Sequence, residues 1–160
     1  MKTVAEIEAL LAEVKDPEIP VISLRELGVL RDIQVEDGRV EVTITPTYTG
    51  CPAMDVMRLG VEKALRKAGV GNFRVRQVLS PAWTTDWISE EGKQKLLAYG
   101  IAPPPHSSDV RTLTGKGPAI ACPQCGSSDT VLVSHFGSTA CKALYKCNTC
   151  KEPFDLFKCH

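Results

Sequence analysis

The chain has 160 residues, room for one domain or for a domain with a small appendage, and 43% hydrophobic and 24% charged residues place it among ordinary globular proteins. Its 19 Lys and Arg balance its 19 Asp and Glu, so no overall field draws it to nucleic acid or to an anionic membrane, and no apolar run is long enough to span a bilayer. Seven cysteines, an odd number, suit a reducing compartment better than a disulfide scaffold. Met1–Glu6 also puts an acid where a signal peptide carries its apolar core, so a cytoplasmic protein is expected.

Thr3-Val4-Ala5-Glu6 has the form of a capping box, and Val4, Ile7, Leu10, Leu11 and Val14 recur at helical spacing, which predicts an amphipathic helix over 4–14. Asp16-Pro17-Glu18-Ile19-Pro20 ends it, because two prolines in four residues cannot continue a helix. Ser23–Leu27 reads as a helical turn closed by Gly28. Leu30–Glu36 and Arg39–Thr45 flank Asp37-Gly38, a type I′ hairpin signal, and the second arm alternates apolar and polar residues, so one face is buried. Pro46–Gly50 is a polar loop. A helix then carries Met54, Met57, Val61, Ala64, Leu65 and Ala68 on its inward stripe and stops at Gly69 and Gly71. Asn72–Leu79 reads as a third strand, Ser80–Ile88 as a loop holding Trp83 and Trp87, and Ser89-Glu90-Glu91 as the start of a last helix that Gly100 ends. Pro103-Pro104-Pro105 and the Ser/Thr/Gly stretch up to Pro118 mark a linker. The expected division is therefore a first domain over 1–105, a linker over 106–118 and a second domain over 119–160. The first domain carries 13 basic and 15 acidic residues, and residues 106–160 carry 6 and 4, too few to make a nucleic-acid patch.

The strongest chemical signal lies in the second domain. Cys122-Pro123-Gln124-Cys125-Gly126 and Cys147-Asn148-Thr149-Cys150 each place two thiolates where a tight knuckle turn can aim them at one metal. Twenty-one residues separate Cys125 from Cys147, room for a two-stranded excursion over 130–136 and 140–146. Paired knuckles at this separation read as a four-cysteine zinc ribbon, with iron as the second choice of metal. A redox CxxC would sit at a helix start in a βαβ unit, and neither pair does.

Three features of the first domain have both a chemical and a plain structural reading. Cys51 precedes a helix, and a helix beginning at Pro52 would favour its thiolate; it would equally serve as a small side chain filling a helix–sheet junction. Asp16 and Glu18 bracket Pro17 and suit metal ligation or acid–base work, or Asp16 simply caps the turn. Trp83-Thr84-Thr85-Asp86-Trp87 is either a partner-docking surface or the lid of a small core.

Taken together, Asp16-Pro17-Glu18-Ile19-Pro20, Leu27-Gly28-Val29, Thr49-Gly50-Cys51-Pro52 and Pro81–Trp87 resemble the iron–sulfur assembly domain of SufT-like proteins. With the tail, Phe136–Cys147 and Glu152–His160, the whole chain resembles the D subunits of phenylacetyl-CoA ring 1,2-epoxidase systems. The resemblance implies an α+β protein: a compact helix–hairpin–helix–strand–helix domain followed by a zinc-ribbon β domain. It also implies an accessory role in aerobic phenylacetate catabolism, assisting assembly of the iron–sulfur cluster or iron site in the system's reductase or oxygenase. A structural docking role within the epoxidase complex is the alternative. The chain itself is expected to be no enzyme, since it shows no Glu-x-x-His pair of the di-iron carboxylate type. The expected partners are the other epoxidase components, above all the iron–sulfur flavin reductase. Carried over by position, Cys51 is the functional thiolate, with Asp16 and Glu18 beside it. Cys122, Cys125, Cys147 and Cys150 are the metal ligands. Cys141 is an alternative ligand, or joins Cys51 in a transient iron or cluster site, or is a buried strand residue. Cys159, His160, His135 and His106 receive no role.

Overall fold

The computed structural model describes residues 1–105 and 119–158; the expected linker, His106, Cys159 and His160 lie outside the described residues. The chain forms two compact units, Met1–Trp83 and Thr84–His160.

In the first unit Thr3 caps helix α1 (Val4–Leu11). Its hydroxyl accepts the Glu6 N–H while the Glu6 carboxylate accepts the Thr3 N–H, so two otherwise orphaned donors are satisfied. The helix ends at Leu11, short of the expected residue 14, because Val14 turns its carbonyl to the Leu24 N–H and Lys15 bridges Ser23. Strands β1 (Leu30–Glu36) and β2 (Arg39–Ile44) pair antiparallel around Asp37 and Gly38, whose φ values of 47° and 78° are those of the expected turn. From β2 the chain crosses through helix α2 (Met54–Lys67) to strand β3 (Phe73–Gln77), which lies parallel to β2 with Val42 opposite Val75. A tight turn cannot return a strand in parallel, but a helix-long connection can. The sheet order is β1-β2-β3. The core is built from Ile7 and Leu11 of α1, Val42 and Ile44 of β2, and Met57, Val61 and Leu65 of α2. Trp83 is buried, and its indole N–H donates to the Leu27 carbonyl at 2.9 Å, which makes this tryptophan a lid on the core rather than an exposed anchor.

In the second unit a 3-10 turn (Thr85–Trp87) leads to helix α3 (Glu90–Ala98), whose N-cap Ser89 accepts the Gly92 N–H. Strand β4 (Ile101–Ala102) follows, and β5 (Thr130–Ser134), β6 (Lys142–Cys147) and β7 (Pro153–Phe157) complete a four-stranded sheet in the order β4-β7-β6-β5. The expected two-stranded excursion is thus half of a larger sheet. The two compact units meet at Trp83 and Thr84, because Ile101 and Ala102 pair in parallel with Asp155 and Leu156 of β7. Each unit mixes helix and sheet, and the chain is an α+β protein. No helix among the described residues is long and apolar enough to cross a membrane.

Candidate functional site

The two Cys-x-x-Cys turns have the same backbone geometry. In the first, the Gly126 N–H donates to the Cys122 carbonyl and the Cys122 N–H to the Ser127 carbonyl; in the second, Lys151 and Cys147 repeat both bonds with Cys147 and Glu152. Gly126 and Lys151 both take left-handed backbone, with φ of 76° and 68°, which a glycine accepts freely and a lysine does not. Within each turn an amide points at the leading sulfur, Gln124 N–H at Cys122 Sγ (3.4 Å) and Cys150 N–H at Cys147 Sγ (3.5 Å). The turns are tied together away from the sulfurs by Ser127 to Thr149 (2.8 Å) and by the Asn148 amide donating to Asp129 (2.9 Å).

The four sulfurs of Cys122, Cys125, Cys147 and Cys150 consequently lie within 4.8 Å of one another. Cys122 Sγ is 3.7 Å from Cys150 Sγ, and Cys125 Sγ is 3.6 Å from Cys147 Sγ. A tetrahedral zinc with Zn–S bonds of about 2.3 Å spaces its sulfurs by about 3.8 Å, so the donor set fits such an ion in both chemistry and size. The environment drives two of the thiols apart: the Cys150 N–H aimed at Cys147 holds that thiol down at about 6. Cys150, although its sulfur accepts the Glu152 N–H, is pushed up to about 12 by burial and by sharing its proton with the neighbouring thiols.

Cys51 stands elsewhere, half-buried in the loop between β2 and α2 of the first unit. Its N–H donates to the Tyr48 carbonyl and its own carbonyl accepts the Met54 N–H. The helix does not begin at Pro52: Ala53 is the N-cap, without a side-chain cap, and Met54 the first helical residue, so Cys51 sits two positions before the cap. Asp16 is buried, and its Oδ1 accepts the N–H groups of Glu18 and Ile19, both at 2.8 Å, so the carboxylate caps the proline turn; Glu18 is exposed. Lys15 and Pro17, on either side of Asp16, line one groove with Val56 and Met57 of α2, which sets the Asp16 segment alongside the start of the helix that Cys51 precedes. Cys141 is buried just before β6, its sulfur 3.0 Å from the Thr139 hydroxyl and its carbonyl accepting the Lys158 N–H. It belongs to the second unit and Cys51 to the first. Sequence reasoning missed Thr43, Thr45 and Thr47, which are all buried on the way into the Cys51 loop; the Thr45 hydroxyl has no hydrogen-bond partner among the described residues. A run of threonines leaving a strand for a loop was the available signal.

Two family models match the chain: an iron–sulfur cluster assembly protein over residues 4–79 and a PaaD zinc beta ribbon domain over residues 106–158. The chain is 46% identical, over 98% of its length and 93% of the relative's, to a protein of Escherichia coli (strain K12) named as the D subunit of a "Putative 1,2-phenylacetyl-CoA epoxidase". Its first part is 35% identical to an "Fe-S protein maturation auxiliary factor" of Porphyromonas gingivalis (strain ATCC BAA-308 / W83), over 60% of this chain and 92% of that one. Among solved structures, a DUF59 domain of unknown function from Bacillus anthracis superposes with a TM-score of 0.54 at 27% identity, over 57% of this chain and 89% of the other. A conserved hypothetical protein from Thermotoga maritima does so with a TM-score of 0.51 at 31% identity, over 59% and 94%. An assembly-type first unit, a four-cysteine ribbon and a relative that matches from end to end agree, and the chain belongs to the family of phenylacetyl-CoA epoxidase D subunits.

Proposed function

We propose that this chain is a cytoplasmic maturation factor for a phenylacetyl-CoA epoxidase system, assisting assembly of the iron–sulfur cluster or iron site in the reductase or oxygenase without performing the epoxidation. The observation that carries the reading is the free, half-buried Cys51 thiol, placed in the loop before α2 of the unit that matches the assembly family. A thiol there can hold iron or cluster cargo briefly and release it, as a transfer factor requires. The first unit contains no histidine, since the three in the chain are His106, His135 and His160, so a cysteine-nucleophile enzyme would lack its usual base. Asp16 and Glu18, on the proline turn after α1, are assigned the supply of negative charge to the cargo. Cys122, Cys125, Cys147 and Cys150 would hold a structural zinc, which fixes the second unit as a docking module for the iron–sulfur flavin reductase. Among the described residues Cys141 is the other thiol outside the ribbon, though its burial and its contact with Thr139 favour a packing role.

The test is Cys51→Ala in cells expressing the reductase alongside this chain. The expected result is a folded variant and a reductase depleted of iron and acid-labile sulfide. A reductase with full iron content would end the proposal. It would favour instead a structural docking role, for which co-purification with the other components at fixed stoichiometry is the signature.

A further inference from the structure

The inner stripe of α2, Met54, Met57, Val61 and Leu65, is buried in the core. A second row on the same helix is not: Val56 and Leu59 are 55% and 53% exposed, and Gly60 and Ala64 continue it at helical spacing. Val14 and Pro17, from the segment after α1, form the opposite wall, and an open groove of about 350 Å³ runs between them. Gly60 sets its depth. A Cβ at that position would lie 3.3 Å from Val14 Cγ1, so the missing side chain both brings the two walls together and keeps the floor clear.

The charges around this groove differ from those on the rest of the helix. Away from it, Arg58 pairs with Asp55 (3.6 Å) and Glu62 (2.8 Å), and Arg66 with Glu62 (3.0 Å), so that face is internally neutralised. The groove is rimmed by Lys15, Lys63 and Lys67 with Glu13 as its only acid, and none of these four has an ion pair among the described residues. An apolar floor inside an unpaired basic rim is complementary to a segment that offers apolar side chains on one face and carboxylates at its edges. Nucleic acid would leave the floor uncovered, and an uncharged helix would leave the lysines unused. From Val56 to Lys67 the helix runs about 17 Å, at about 1.5 Å per residue, which matches three turns of a docked helix.

We propose that this groove docks an acidic amphipathic helical segment of a partner protein. The proposal rests on the groove alone and is independent of the role given to Cys51.

The probe is a fluorescein-labelled 16-residue peptide with leucines at helical spacing and glutamates elsewhere, titrated with the full-length protein and followed by anisotropy. Binding is expected, weaker at higher salt, and at least about tenfold weaker in a Lys63→Glu/Lys67→Glu variant, where like charges face each other. Val56→Asp is expected to weaken it similarly, while Arg74→Glu on β3 leaves it unchanged. All of these sites lie at the surface, and circular dichroism confirms that the variants are folded. The proposal is overturned if a scrambled peptide of the same composition binds equally well, if the groove variants bind like the native protein, or if no binding occurs. Binding of phosphatidylglycerol vesicles in place of the peptide, abolished by the same lysine changes, would also overturn it and assign the groove to a membrane surface.

Discussion

Stripping the metal from the four-cysteine site should unfold the second unit and leave the first intact. The buried cluster beneath the site consists of Ala102, Ile120, Cys122, Ala143, Cys147, Phe154 and Leu156, so two of its seven members are themselves ligands. Its three large apolar side chains, Ile120, Phe154 and Leu156, contribute together about 5–9 kcal/mol at about 1.5–3 kcal/mol each. A structural zinc on cysteine ligands contributes about 10–16 kcal/mol at neutral pH, more than that core. The first unit has a separate core with no metal ligand in it, built on Leu11, Val42, Ile44, Val61 and Leu65. Hydrogen exchange read by mass spectrometry, before and after treatment with a high-affinity chelator, separates the two. Amides of β5, β6 and β7 are expected to exchange at the rate of an unfolded chain once the metal is gone, while those of β2 and α2 keep their protection. Cys147→Ser should reproduce the effect and Cys51→Ala should not. If β6 stays protected in protein shown to be metal-free, the sulfurs are held in place by the fold alone, and the ribbon does not depend on its ion.

Two further outcomes follow from individual contacts. Asp16→Ala removes the acceptor for two amides at 2.8 Å and should cost about 1–3 kcal/mol in urea unfolding; Asp16→Asn keeps Oδ1 as acceptor and should cost less than about 1 kcal/mol. Loss of cluster delivery in Asp16→Asn at native stability would show that the charge itself matters. Metal retention should depend on pH in a definite direction. The Cys147 thiol is held at about 6, below its ordinary 9, so its thiolate is available above that value and protonated below it. Protons compete with the metal for all four thiolates, so metal-derived stability is kept at neutral and alkaline pH and lost on acidification, which a colorimetric zinc indicator would follow directly. Metal retained unchanged down to about pH 3 would contradict thiolate ligation.

Features carried by neighbouring residues were legible in the sequence. The Thr3–Glu6 box, the Asp37-Gly38 turn and the paired Cys-x-x-Cys turns are each specified within a few positions, and of the expected inner stripe of α2 Met54, Met57, Val61 and Leu65 are buried while Ala64 and Ala68 are only half-buried. Long-range pairing was less legible. β7 begins at Pro153, a residue that argues against a strand, yet its missing N–H falls at the strand's first position, opposite Lys146, where the ladder tolerates it. β4 is two residues long and exists only because β7 accepts it, which puts it in the second compact unit. Gly126 announces the left-handed residue of the first knuckle, but Lys151 does the same work in the second with no local signal, because the repeated hydrogen bonds impose it. The start of α2 was misplaced because Pro52 is acceptable in a first turn, whereas the chain spends Cys51 to Ala53 on a turn of its own.

The placement of Asp16 bears on what Cys51 can do. A thiol nucleophile needs a base within hydrogen-bond reach to take its proton, oriented by a third group. The Asp16 carboxylate instead has its Oδ1 engaged by two backbone amides of its own turn. No imidazole belongs to the first unit. The buried threonines that lead into the Cys51 loop include Thr45, whose hydroxyl has no partner among the described residues. A buried hydroxyl in that state costs about 1–3 kcal/mol and is retained where something else satisfies it. Such surroundings suit a thiol that holds cargo for a time and passes it on better than one that must turn over a substrate.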